Sequence, residues 1–174
     1  FNSYKPVSGK YFWMGGNYNI TQNAFSSNLV YDSLGRSIST PTNVNGNANG
    51  GAWLGGNIPM FSRILTVGAN LNTNYYSNNN IINNVKNTTK NTGYSGGLQL
   101  TVDLDKYVFD IGSNYDYNIP YSTINNQNNK PYTTQQYNFN GRVELPKKIF
   151  IETNANYNIN SRRTTGYNIN YFII

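Results

Sequence analysis

Apolar and polar residues alternate with period two along almost the whole chain. That period marks strands, because successive strand side chains leave opposite faces of a sheet. The longest case is Asn43–Pro59, NVNGNANGGAWLGGNIP. Val44, Gly46, Ala48, Gly50, Ala52, Leu54, Gly56 and Ile58 take one parity there. Asn43, Asn45, Asn47, Asn49, Trp53 and Asn57 take most of the other. After a stub at Phe1–Tyr4 and the turn KPVSGK, the pattern predicts a strand from about Tyr11 to Tyr31. A parity slip near TQNA within it reads as a bulge. The turn Asp32–Arg36 leads into a long descending strand that holds Asn43–Pro59, and PMFSR returns the chain. Further strands are predicted at Ile64–Tyr76, Lys90–Leu104, Tyr107–Asn118, Tyr132–Glu144, Ile149–Asn160 and Gly166–Ile174. The polar stretch SNNNIINNVKNTT before Lys90 reads as a loop, as does STINNQNNKP.

Connections alternate between tight turns bearing Pro or charge and longer Asn-rich loops, a rhythm found in up-and-down membrane barrels. Soluble sandwiches also alternate apolar with polar residues, so alternation alone does not separate the cases; charge shows two unlike faces, and tyrosine position separates the readings. The charges within the strands, Asp110, Asp116, Arg142 and Glu152, all lie on the Asn-bearing parity, opposite Ile111, Tyr115, Val143 and Ile151. A lipid face, at ~2–4 kcal/mol for each Arg or Lys at mid-depth, or a dry core excludes charge in this way, so the sheet has two faces meeting different surroundings. On the apolar parity, Leu65, Leu104, Phe109, Val143 and Ile149 sit beside the tight turns. Tyr75, Tyr94, Tyr117, Tyr137, Tyr157 and Tyr167 sit toward the long loops. Tyrosines repeated at one height predict an aromatic girdle at a membrane–water boundary. The Asn side of Asn43–Pro59 is then expected to face a wet interior, where amides bond to water and to each other.

Composition narrows the chemistry. The 174 residues contain no Cys and no His, which removes disulfides, thiolate or imidazole metal sites, and the usual nucleophile–base pairs. No catalytic residues, metal ligands or cofactor are expected, and the chain is not read as an enzyme. Asp103 and Asp105 lack the further ligands of a calcium loop and read as a hairpin turn. Asp110 and Asp116 share a face but lie ~20 Å apart along one strand, too far for a carboxylate pair. The net charge of +6 raises nucleic acid as a partner. The bases are scattered through turns, however, and nucleic acid is not expected. No run of ~20 apolar residues suits a membrane helix. Phe1–Lys10 lacks the pattern of a signal peptide, so the sequence is read as mature protein or a piece of one.

The stretches YDSLGRSISTPTNVNG (Tyr31–Gly46), IPMFSRILTVGANLNTNYYSNNNIIN (Ile58–Asn83) and TTQQYNFNGRVELPKKIFIETNANYNINSRRTTGYNINY (Thr133–Tyr171) carry a resemblance. In strand spacing and turn wording they resemble the C-terminal outer-membrane β-barrel of TonB-dependent receptors of Gram-negative bacteria. The likeness covers nearly the whole chain. It implies an all-β, antiparallel, up-and-down transmembrane β-barrel domain over residues 1–174, located in the bacterial outer membrane and taking part in uptake of a bulky nutrient. About eight strands are expected, as a fragment of a larger barrel. The implied partners are the lipid membrane, and a plug domain and the TonB system in the full receptor. Neither a plug-like segment nor a TonB-box region occurs in this sequence. Asp110, Asp116, Arg142 and Glu152 would line the lumen. The loops Tyr76–Thr89, Ile119–Lys130 and Asn160–Thr165 would offer ligand surfaces. Two other readings stand beside this one: a small outer-membrane barrel with an anchoring or adhesive role, and a soluble Tyr/Asn-rich β-sandwich that binds carbohydrate.

Overall fold

The alternating pattern resolves into strands in the computed structural model, which describes residues 1–124, 126–161 and 171–173. They are β1 (Asn2–Lys5), β2 (Lys10–Thr21), β3 (Ala24–Tyr31), β4 (Ser37–Val44), β5 (Asn47–Met60) and β6 (Leu65–Ile82). The series continues with β7 (Val85–Asp103), β8 (Tyr107–Ser122), β9 (Tyr132–Leu145), β10 (Ile149–Asn160) and β11 (Tyr171–Ile173). All eleven belong to one sheet, ordered β1-β2-β5-β6-β7-β8-β9-β10-β11, with the β3–β4 hairpin off this path. Neighbours along the path are antiparallel. The fold is therefore all-β and up-and-down, as expected. The strand count is corrected: eleven strands are present among the described residues, where β1 and β11 pair only with β2 and β10. The sheet is open.

Four tight turns lie at one end of the sheet, at residues 6–9, 61–64, 104–106 and 146–148. Backbone geometry explains their wording. Gly9 has φ +67, and Phe61, Ser62, Arg63, Asp105, Lys147 and Lys148 all adopt positive φ. The Asp105 N–H donates to Asp103 Oδ1 at 3.1 Å, so that acidic pair closes a hairpin turn.

The opposite end departs from expectation. Ser77–Thr89 is no loop: β6 and β7 stay paired from Leu65↔Val102 to Ile82↔Val85. They turn on two residues, Asn83 (φ 49) and Asn84 (φ 62). Two successive left-handed residues form the type I′ turn whose twist matches the flanking strands, and Asn tolerates that conformation. The strand expected over Tyr11–Tyr31 is likewise two strands. It breaks at Asn23 (φ 52), and the facing strand breaks at Gly46 (φ 83). Thr21 pairs Asn47 and Ala24 pairs Val44, so the ladder keeps one offset across the break and the slip near TQNA is not a one-sided bulge. The ribbon bends there, and β3 comes to lie parallel to β6 through Asn28↔Ile81 and Leu29↔Ile82.

Asparagines fasten this bend. The Asn79 N–H donates to Asn47 Oδ1 at 2.8 Å, Asn79 Nδ2 donates to the Asn45 carbonyl at 2.8 Å, and Thr88 Oγ1 donates to Asn79 Oδ1 at 2.6 Å. Ser77, Asn79 and Asn87 are buried polar residues, whereas Val44 is the buried apolar residue of the described part. Buried amides are costly unless paired, and these are paired. The centre of packing is thus a hydrogen-bonded knot at the loop end. Among the described residues no apolar core lies inside the sheet.

Candidate functional surfaces: a tyrosine-bordered apolar face and an amide face

Strand register assigns every side chain to one of two faces. One row of the first face runs Ile58, Val67, Leu100, Ile111, Phe139 and Ala155 on successive strands from β5 to β10. Its apolar side chains are open to the surroundings: Leu71 is 57% exposed, Leu98 63%, Ile111 52% and Ile151 55%. Among the described residues no second layer covers them. Open grooves of about 440–550 Å³ cross this face between the strands.

On the first face an apolar stretch runs from Leu65 to Tyr75 on β6 and from Tyr94 to Val102 on β7. It then spans Tyr107 to Tyr117 on β8, Tyr137 to Leu145 on β9 and Ile149 to Tyr157 on β10. Measured from the tight turns to these tyrosines each is nine or eleven residues long, and the same face continues with Ile119 and Tyr121 on β8 and Ile159 on β10. β6 and β7 continue beyond it as 18- and 19-residue strands with Asn- and Thr-rich ends.

Tyrosines border the stretch toward the loop end. Tyr94 pairs Tyr117, and Tyr137 pairs Tyr157. They do not share one hydrogen-bonded row. The row through Tyr75 passes Thr92 and Ile119, and Tyr94 and Tyr117 lie two residues nearer the tight turns. Tyr137 lies four residues beyond Thr133, the partner of Tyr117, so the drop from β6 to β10 is six residues over four strand steps. With ~3.3 Å per residue and ~4.8 Å per strand, the tyrosine line crosses the strands at about 45°. Tyr115, 47% exposed, sits on the same line, and spacing along a single strand gave no reason to prefer it over Tyr117. Tyr167 lies outside the described residues.

The second face carries the amides together with Asp110, Asp116, Arg142 and Glu152. Thr101 Oγ1 donates to Asp110 Oδ1 at 2.5 Å. Asp116 Oδ2 accepts from Asn114 Nδ2 at 2.9 Å and from Thr134 Oγ1 at 3.1 Å. Arg142 pairs Glu152 across β9 and β10, with 3.6 Å between Nε and Oε1, and its guanidinium stands 4.4 Å from the Phe150 ring centroid. The structure thus joins Arg142 to Glu152 but leaves Asp110 and Asp116 apart, each satisfied by neutral neighbours on its own stretch of sheet. Both members of the ion pair are more than half exposed, so the pair itself adds little stability.

This face also holds an aromatic feature. Two W-x-G tripeptides, Trp13–Gly15 and Trp53–Gly55, face each other in register, with Trp13 opposite Gly55 and Gly15 opposite Trp53. Each indole lies over the opposite glycine; a Cβ on Gly15 would stand 2.6 Å from Trp53 Cζ2. Tyr11 stacks on Trp13 at 5.2 Å. Among the described residues no group of three His, Cys, Asp or Glu can hold a metal, and no helix is long and apolar enough to cross a membrane. No family model, curated protein or solved structure matches the chain.

Proposed function

We propose that this chain is a segment of an outer-membrane β-barrel, with its apolar face toward hydrocarbon and its amide face toward a water-filled or protein-filled lumen. On the resemblance of its turns and strands, the barrel is that of a TonB-dependent receptor that takes up a bulky nutrient. The observation that carries the membrane reading is the tyrosine-bordered apolar stretch. Transmembrane strands need 9–11 residues when tilted by about 45°, and the stretches of β6–β10 have both that length and a tyrosine line at that angle to the strands. A soluble sandwich needs a second sheet over Leu98, Ile111 and Ile151, and these side chains stand open on a single sheet. In this reading the chain performs no covalent chemistry. Its amide face and the long β6–β7 hairpin supply polar contacts along a passage, and Asp110, Asp116, Arg142 and Glu152 set the local charge of that passage.

The test uses the protein expressed in a Gram-negative host. Single cysteines at Leu98, Ile111 and Ile151 are expected in the outer-membrane fraction and protected from a water-soluble maleimide, while cysteines at Asn72, Asn114 and Asn138 react with it. Equal labelling of the two sets, or recovery in the soluble fraction, overturns the reading.

A further inference from the structure

At the tight-turn end, the apolar face carries two lysines. Lys5 and Lys10 are directly opposite each other across β1 and β2, and Lys10 shares the face of Phe12, two residues on. Like charges in a directly opposed strand pair repel. Neither lysine has a carboxylate partner among the described residues, and Phe1–Tyr31 contains no Asp or Glu. A third cation stands close by: Arg63, from the β5–β6 turn, reaches the β1–β2 turn, donating from Nη2 to the Pro6 carbonyl at 3.4 Å.

These cations head an apolar groove. A depression of about 440 Å³ is lined by Lys5 and Lys10 together with Phe12, Leu54, Ile58 and Leu71. A pair of uncompensated ammonium groups at the mouth of a hydrocarbon-compatible groove suits one chemistry: an anionic head attached to an acyl chain. We infer that this corner binds an anionic glycerophospholipid, with its phosphate between Lys5 and Lys10, Arg63 adding to the field, and an acyl chain along Phe12, Leu54, Ile58 and Leu71. The site relieves the lysine–lysine repulsion and fixes which headgroup class borders β1, β2 and β5. This inference rests on the membrane reading above, because the groove is available to lipid only if its face meets the bilayer.

The experiment reconstitutes the full chain in bilayers of phosphatidylcholine containing a minor share of phosphatidylglycerol with the same acyl chains, then extracts it gently and identifies co-purifying lipid by native mass spectrometry. Phosphatidylglycerol is expected to be enriched on the order of 25-fold over phosphatidylcholine, about fivefold for each of the two lysines near a bilayer surface. The enrichment is expected to vanish in K5Q/K10Q and to survive in K147Q/K148Q, which removes two cations of another tight turn. Equal retention of both lipids, or enrichment unchanged in K5Q/K10Q, overturns the inference while leaving the membrane reading intact. So does retention of inorganic phosphate with no preference between the lipids, which would mark an ion site only. Failure of the chain to enter bilayers of either composition overturns the membrane reading and, with it, the lipid site.

Discussion

Gly15 and Gly55 show what a single residue contributes when it has no side chain. Each provides a flat patch of backbone on which the indole from the facing strand rests. Glycine weakens a strand in isolation, but a cross-strand aromatic over it restores packing. Replacing Gly15 by Ala puts a methyl within 2.6 Å of Trp53 Cζ2, so the ring must lift. Overpacking of this kind costs about 1–3 kcal/mol. G15A is expected to lower the urea midpoint of unfolding and to change Trp fluorescence, and the cost should largely disappear in a W53A background. An undiminished cost in the double variant would assign it to the backbone instead. Asp32 offers a second test at this scale. The Arg36 guanidinium, 2.6 Å away, and the backbone N–H groups of Arg36 and Leu34 hold its carboxyl below the ordinary value of 3.8. Because the folded value is the lower one, the turn gains order above the ordinary value and loses it as pH falls through the depressed one. The Arg36 Nε–H resonance is expected to shift with a midpoint below that of the same turn in a denatured chain, and coincident midpoints would exclude the interaction.

At the scale of an element, β8 carries an apolar and a polar side on one strand: Tyr107, Phe109, Ile111, Tyr115 and Tyr117 on one, and Asp110, Asn114 and Asp116 on the other. Arginine at Ile111 would stand within the apolar stretch and is expected to cost ~2–4 kcal/mol in bilayers, read as a loss of urea resistance. Arginine at Asn114, three residues away on the amide face, is expected to be nearly neutral. If both substitutions cost the same, the two faces do not meet different solvents. Much of β8 was legible in the sequence, because alternation between large apolar and polar residues leaves one parity choice. The upper parts of β6 and β7 were not. Asn78, Asn79, Asn80, Asn83, Asn84 and Asn87 have poor strand propensity, and their pairing depends on side-chain bonds made between elements, such as Asn79 to Asn45 and Asn28 Nδ2 to Asn84 Oδ1 at 2.7 Å. The bend at Asn23 and Gly46 left a trace in the sequence as the parity slip near TQNA, but only the pairing, which keeps its offset through it, shows that both strands break there and that it is no bulge. The W-x-G repeat was present in the sequence, but only knowledge of register turns two tripeptides into two interlocked Trp–Gly pairs.

For the whole molecule, the angle of the tyrosine line connects local pattern to global orientation. Phenolic side chains at a bilayer boundary settle at one depth, so in the membrane reading the line from Tyr75 to Tyr157 lies parallel to the membrane plane. Its descent of six residues across four strand steps then fixes the strands at about 45° to the membrane normal. Strand register and the tyrosine positions together give this value, once the line is laid in the membrane plane. It coincides with the tilt that lets 9–11 residues cross a hydrocarbon layer. Polarised infrared spectroscopy of the protein in oriented bilayers measures the same angle through the amide I dichroism. A tilt of about 45° is expected. Strands found parallel to the membrane plane would mean that the apolar face lies on the bilayer surface, and the line of tyrosines would then have no depth to mark.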